Sequence, residues 1–288
     1  MSTINVDVVD PQSGNNVEVN GIEIRAYNQA IKIGAGAGDN LGTWSLAVGT
    51  AALANSTGTS NVGVGYLAGA NQTTGFGNTA LGSYALQLLT TTNNNTALGY
   101  QALRNSTPDS TGGNTAVGSQ ALLDLTTGNQ NTTIGMNAGS SITTGNNNTN
   151  IGFDSQSSSL TVSNEITLGN SQITTLRCAV TSITSLSDAR DKKDVKELGV
   201  GLEFVKGLKP VEFVWDERAE EGKHNIKDFG FIAQDLKKSQ EDAKLAETLK
   251  LVYEENPEKL EASYGKLIPI LVKAIQDLTA KVELLEKK

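Results

Sequence analysis

The sequence predicts a parallel β-solenoid followed by a small α/β domain that ends in a long helix. Three observations carry this reading. An aliphatic residue followed by glycine recurs at a near-constant spacing through the first half. Charge then rises abruptly: residues 1–186 hold four Lys/Arg and nine Asp/Glu, whereas 187–288 hold nineteen and twenty-two in little more than half the length. The last segment, from Tyr264, carries one apolar stripe at helical spacing. The two halves meet at Ser187-Asp188-Ala189-Arg190-Asp191-Lys192.

A chain of 288 residues has room for two domains or one extended one. Aromatic residues make up only 5%, so a core in the first half must come from Ala, Val, Leu, Ile and Thr, which suits thin stacked layers. The net charge of −8 argues against a nucleic-acid or anionic-membrane partner. Met1-Ser2-Thr3-Ile4-Asn5 lacks the basic start and apolar stretch of a secretory signal, and the aliphatic run Leu267–Val272 is too short to span a bilayer. A single cysteine, Cys178, excludes an intrachain disulfide and reads as a small buried apolar residue. The single histidine, His224, sits among turn-like residues, where solvent exposure is expected. No metal site, His-based triad or cofactor is indicated.

Residues 1–40 form the first segment. Ile4–Val8, Val17-Glu18-Val19 and Ile22-Glu23-Ile24 alternate apolar and polar between turn signals at Pro11–Gly14 and Asn20-Gly21, as short strands of an attachment or capping segment would. From residue 41 to 170 the period rules. Gly49, Gly65, Gly82, Gly99, Gly118, Gly135, Gly152 and Gly169 are spaced 16, 17, 17, 19, 17, 17 and 17 residues apart. Val48, Val64, Leu81, Leu98, Val117, Ile134, Ile151 and Leu168 precede them. Four residues before the glycine stands Asn61, Asn78, Asn95, Asn114, Asn131 or Asn148; three after it stands Ala52, Ala68, Ala85, Ala102, Ala121 or Ala138.

Each unit reads as a short strand with one face inward, and the constant phase of the aliphatic residue points it to the core. The glycine permits a positive φ or a close backbone approach. The asparagine tolerates left-handed turn geometry and can hydrogen-bond along a stack of its equivalents. Stacked at ~4.8 Å, eight coils make a rod of roughly 40 Å. The alternative reading is a low-complexity Asn/Gly/Thr linker without fixed structure. The pattern resembles the head repeats of trimeric autotransporter adhesins, and is similar to repeats of phage tail fibres. That resemblance implies a trimer of parallel β-rolls.

Residues 171–186 continue as β-like sequence without the repeat and read as a stem. Beyond them, 198–208 suggests a short helix and Val211–Trp215 a strand after Pro210. Phe229–Gln234 reads as a strand running into a helix through Asp235–Lys238, and Leu251-Val252-Tyr253 as a strand before a turn at Pro257. In the final helix Ile268, Leu271, Ile275, Leu278, Val282 and Leu285 follow 3,4,3,4,3 spacing. The stripe is either a core-facing surface or a coiled-coil seam. β-branched residues alternating with Leu favour a dimer in isolation, so the helix does not set a trimer by itself.

Ser187 and Lys192 raise the question of processing. A neutral lysine can take a serine hydroxyl proton while the oxygen attacks a carbonyl, so acyl transfer needs no histidine. An unperturbed lysine, with a pKa of about 10.4, is almost wholly charged at neutral pH, and lowering it by about 3 units costs ~4 kcal/mol. Arg190 and Lys193 push in that direction; Asp188 and Asp191 oppose it unless they face Arg190. Folding and oligomerisation must therefore build the site. Taken alone, the spacing is equally that of two solvated loop residues.

Ser-Asp-x-Arg-x-Lys here opens a region containing Pro-Val-x-Phe-x-Trp, Gly-x-Ile-Ala-Gln (as Gly230-Phe231-Ile232-Ala233-Gln234), Tyr-x-x-Leu-Ile and a terminal heptad helix. Residues 187–288 thereby resemble the intramolecular chaperone domain of phage tailspikes and fibres, the S74 peptidase group typified by endosialidase tailspikes. The resemblance implies that this domain trimerises, aligns three chains while the fibre folds, and releases itself by cutting Leu186–Ser187. Ser187 matches the family nucleophile and Lys192 its base, with Asp188 and Arg190 in the motif around them. It further implies a homotrimer in the virion, made in the host cytoplasm, joined to other tail components through its N-terminal segment and able to meet a host receptor. Neither nucleic acid nor membrane insertion belongs to that picture. Two other classes stand beside it: an adhesive fibre that keeps its chaperone, and a sugar-cleaving spike. The last would need paired carboxylates from the few acids of the first half, such as Asp124, Asp154 and Glu165.

Overall fold

The computed structural model describes residues 16–19, 22–27, 30–38, 41–106, 112–179, 187–216 and 224–288, with side chains from residue 31 onward except that of His224. They fall into two units, Met1–Asn170 and Ser171–Lys288. The expected strand at Ile4–Val8 lies outside the described residues.

The first unit is built on one long sheet. β1 (Asn16–Val19), β2 (Ile22–Tyr27) and β3 (Ala30–Ile33) pair antiparallel in succession. From β3 onward every neighbour is parallel: β4 (Leu46–Val48), β5 (Val62–Val64), β6 (Thr79–Leu81), β7 (Thr96–Leu98), β8 (Thr115–Val117), β9 (Thr132–Ile134), β10 (Thr149–Ile151) and β11 (Ile166–Leu168). Each coil thus contributes one three-residue strand, and equivalent residues lie in register along the rod.

Close backbone approach explains the glycines. Gly99 and Gly118 take φ of +140° and +135°, and a Cβ on Gly99 would lie 2.4 Å from the carbonyl oxygen of Gly118. No larger residue fits that corner. The asparagines form a ladder of equal regularity. The amide of Asn95 donates to Oδ1 of Asn78, that of Asn114 to Asn95, that of Asn131 to Asn114 and that of Asn148 to Asn131, at 2.9–3.1 Å. Their Nδ2 groups reach the next coil, as Asn114 does to the carbonyl of Gly128 at 3.0 Å and Asn131 to that of Gly145 at 2.8 Å. The ladder is as expected, but the left-handed turn is not at these asparagines. The residue just before carries it, as at Ser60, Asn94, Gln130 and Asn147.

The aliphatic column is where the structure overturns the expectation. Leu81, Leu98, Ile134, Ile151 and Leu168 are exposed, and Val48, Val64 and Val117 are half-buried. The middle strand residue points inward instead: Ala47, Ala80, Ala97, Ala116, Thr133 and Asn150 are buried. A three-residue strand sends its centre to one face and both flanks to the other. The room opposite is already filled by Leu53, Leu86, Leu103 and Leu122, fully buried and held left-handed just after the recurrent alanine. A Cβ on Gly63, at the strand centre, would come within 2.6 Å of the Leu53 side chain. Only a small residue fits there, so the bulky one faces out.

The second unit is an α/β layer. α1 (Leu202–Lys206) precedes the antiparallel pair β12 (Val211–Asp216) and β13 (His224–Gly230). α2 (Ala233–Asp242), α3 (Ala246–Leu249), the short pair β14 (Val252–Tyr253) and β15 (Glu261–Ala262), and α4 (Leu267–Glu286) follow. Leu249, Leu251, Leu267 and Ile270 form its core with Phe204, Val205, Phe231 and Leu245 against them. The strand expected at Phe229–Gln234 ends at Gly230, and His224 begins β13 rather than a turn; its side chain, expected to be exposed, lies outside the described residues. Residues 171–179 hold no strand and are exposed, Cys178 included. The buried cysteine is therefore corrected to an exposed one.

Two substitutions separate the two faces of β7. Ala97→Asp should abolish the folded solenoid, since a buried carboxylate there has no partner, whereas Leu98→Asp should leave the single coil stack intact by circular dichroism. Asn114→Ala should lower stability by about 2–4 kcal/mol in thermal unfolding, because it strands the Asn131 amide and the Gly128 carbonyl.

Candidate active site

Ser187 and Lys192 lie in the second unit, on either side of a single 3-10 turn at Ala189–Asp191. The turn exists because Asp188 caps it: its carboxylate accepts from the Arg190 amide at 2.9 Å. The Arg190 guanidinium folds back on the same carboxylate, with Nε and Nη2 donating at 2.6–3.2 Å. Lys192 leaves the turn in extended conformation. That change of direction returns its ammonium to the start of the turn, where Nζ donates to Ser187 Oγ at 2.5 Å and to the Ser187 carbonyl at 3.2 Å.

The structure thus brings together four of the five candidate residues in two interlocked pairs, Ser187 with Lys192 and Asp188 with Arg190. Leu186, the residue before the expected cut, lies outside the described residues. The arrangement answers the electrostatic question posed by the acids, because Asp188 is taken up by Arg190 rather than by the lysine. The Arg190 side chain, and after it the Arg190 amide, hold the Asp188 carboxyl below the usual carboxylate range, and the pairing raises Arg190 in turn.

All six residues of the junction are exposed. In a single chain the lysine is therefore a solvated donor to the serine. Proton abstraction needs the reverse polarity, with Nζ as acceptor, and water must be withdrawn from the pair for that. Among the described residues no cluster of His, Cys, Asp and Glu could hold a metal, and no helix is long and apolar enough to cross a membrane.

The remaining motifs converge on one cleft of about 680 Å³. Phe213, Trp215, Phe231, Ile232, Gln234 and Tyr264 line it, drawn from all three of the segments singled out beyond the junction. The Tyr264 hydroxyl clamps Phe231, accepting from its amide at 3.1 Å and donating to its carbonyl at 3.2 Å. That clamp explains Gly230: a Cβ there would meet the hydroxyl at 2.6 Å. Residues 187–245 match the family model described as chaperone of endosialidase, Peptidase_S74, and the match begins at Ser187 itself. That segment is similar to chaperone-of-endosialidase domains. No curated protein and no solved structure matches the chain.

Sequence reading missed two anchors of the second unit. Asp277 on α4 accepts from the Leu202 amide at 3.1 Å and so caps α1, while Lys273 holds it at 2.7 Å. Gln240, buried on α2, accepts from the Leu251 amide at 2.9 Å. Both join residues far apart in the chain, for which no local spacing is a signal. The α4 stripe is also decided here. Leu267, Ile270 and Ala274 face the domain core, and the heptad residues Ile268, Leu271, Ile275, Leu278, Val282 and Leu285 are exposed, so the stripe is not the core-facing surface.

The Asp188 cap has a testable pH dependence. Its folded pKa lies below the unfolded value of about 3.9, so its contribution is complete above that pH and is lost as pH falls through the lower folded value. The Asp188 carboxyl resonance should titrate below about 3.9 in carbon-detected NMR, and Arg190→Ala should raise the midpoint toward the ordinary range while the amide of residue 190 still lowers it. A midpoint at or above that range in the unaltered protein contradicts the fork.

Proposed function

We propose that the chain is a virion tail-fibre or tailspike subunit: its chaperone domain aligns three copies while the solenoid folds, then frees itself at Leu186–Ser187. The carrying observation is the contact between Lys192 Nζ and Ser187 Oγ at the first residue of the family match. Ser187 Oγ attacks the carbonyl carbon of Leu186 as Lys192 takes the hydroxyl proton. The C–N bond then breaks, the amine of Ser187 leaves protonated, and an ester joins Leu186 to Oγ. Water hydrolyses the ester, giving a Leu186 carboxylate and a C-terminal fragment that starts at Ser187. Exposure of the pair in one chain supports a switch: assembly withdraws water from it, so cutting follows trimer formation.

The need for a chaperone follows from the rod. Its coils are nearly equivalent, so a slip of one repeat between chains costs little, and a globular domain at one end sets them level. After the cut, the fibre has no covalent link back to the assisted state, and its unfolding becomes a matter of rate. The exposed α4 stripe is the seam by which the chaperone domains assemble. The fibre sits in the virion after synthesis in the host cytoplasm, with residues 1–40 toward other tail components and the solenoid available to a host receptor.

Alanine at Ser187 or at Lys192 should leave full-length chain on a denaturing gel, with the solenoid folded. Lys192→Arg should also block, because a guanidinium stays charged. Raising the pH should speed cutting in the unaltered protein, and intact mass should find a fragment starting at Ser187. Undiminished cutting of Ser187→Ala removes the dyad; an unaltered protein that never cuts is a fibre that keeps its chaperone. Leu278→Asp should reduce the uncut species from three chains to one in sedimentation, and a persistent trimer would rule out the α4 seam.

A further inference from the structure

The interior of the solenoid changes chemistry along its length. One inward column, in direct register from β7 to β11, runs Ala97, Ala116, Thr133, Asn150, Thr167. The leucine column opposite runs out as well. Where earlier coils carry Leu86, Leu103 and Leu122, the next two carry Gly139 and the half-buried Gln156. Ser155 takes the place of the recurrent alanine. Past Ile142, Val162 is the one buried apolar side chain of the first unit among the described residues.

The two ends of the rod differ accordingly. At the N-terminal end Ala37, Leu41, Ala47, Ala52 and Leu53 form an apolar cluster. At the other end side-chain hydrogen bonds hold the interior. Asn150 donates to Ser157 Oγ at 3.1 Å, Ser141 Oγ to Gln156 Oε1 at 2.8 Å, and the Ser158 amide to the Glu165 carboxylate at 2.8 Å. Two hydroxyls are left out. Thr133 Oγ1 and Ser155 Oγ are buried and meet no hydrogen-bond partner among the described residues. A hydrogen bond made inside a protein replaces one to water and gains little, whereas a buried hydroxyl without a partner forfeits its hydration outright. Elsewhere in the rod buried apolar surface binds coil to coil, and these last coils bury little of it.

We infer that residues 149–169, the coils of β10 and β11, open and close as a unit of their own while the apolar coils before them stay folded. In a stack each coil touches only its neighbours, so stability is a sum of local terms, and a weak run at one end separates without disturbing the rest. Backbone geometry does not set these coils apart. The corner at Gly135 lies as close to Gly152 as Gly99 does to Gly118, and β9 and β10 pair in unbroken register. Only the core distinguishes them. The rod therefore opens from the end that precedes the junction in the chain, and that end closes last when the rod folds.

Hydrogen exchange of the full-length chain, read by mass spectrometry, tests this. Thr149, Gly152 and Gly169 donate their amides to Glu165, Ile134 and Ile151 at 2.7–2.8 Å, as Thr96 and Gly99 do to Asn114 and Leu81 at 2.8 Å. Unequal exchange then reports opening rather than unequal bonding. Peptides from 149–169 should exchange at least ~100-fold faster than peptides from 96–118, and with a weaker urea dependence, because a local opening exposes less surface. Peptides from 46–64 should be protected like the middle coils. Both unpartnered hydroxyls regain water when the segment opens, so Thr133→Val combined with Ser155→Ala should slow exchange in 149–169 about 10-fold and leave 96–118 unchanged. If the pair of changes lowers protection at 96–118, the rod itself is disturbed, and Ser155→Ala alone carries the same expectation for 149–169. Equal protection in all three regions, or an equally steep urea dependence, overturns the separate unit. Exchange at 46–64 as fast as at 149–169 reduces it to fraying of both ends and overturns it too. Failure of the hydroxyl removals to slow exchange overturns the polar core as its cause.

Discussion

Backbone contact between successive coils is the constraint on which the first unit depends. At each corner the glycine sits so near its successor that a single added carbon would overlap the next carbonyl, as Gly99 shows against Gly118. The asparagine ladder, one rung per coil, fixes the same spacing by hydrogen bonds that water cannot replace in a buried column. Together they set the coils at strand-pairing distance whatever the intervening turn contains. The two-residue excess between Gly99 and Gly118 is absorbed without loss of pairing between β7 and β8.

That tight spacing determines what the core can hold. With so thin a coil, the interior takes one leucine column and a set of small residues, and nothing bulky from the strand. The strand's aliphatic residue is then forced outward. A rod built this way is well satisfied along its axis and left with an apolar seam along its side. Every rung of that seam resembles the next, so the seam by itself defines no unique register.

The second unit has the opposite character. Its order comes from contacts that occur once: the Tyr264 clamp on Phe231, the Asp277 cap on α1, the buried Gln240. Each such contact defines a single register. Within this unit the serine–lysine pair is in contact yet exposed to solvent, with the neighbouring carboxylate satisfied by Arg190.

By itself the sequence determined the period, the ladder of asparagines and the need for glycine at each corner. These are local properties, in which a missing Cβ or a side-chain amide acts on its own neighbourhood. At the junction the spacing of Ser187 and Lys192 fits two solvated loop residues equally well, and the turn at Ala189–Asp191 is what brings them into contact. The direction of the aliphatic column lay beyond the sequence. In a Thr-Ala-Leu strand both parities are consistent with alternation, and only the leucines packed from the far side of the coil, Leu86 and Leu103 among them, decide that alanine goes in. The same holds for α4, where a good heptad stripe is turned outward because Leu267, Ile270 and Ala274 meet the core first. Cys178 is exposed for a related reason: burial requires a neighbour, and a neighbour is supplied by tertiary structure alone.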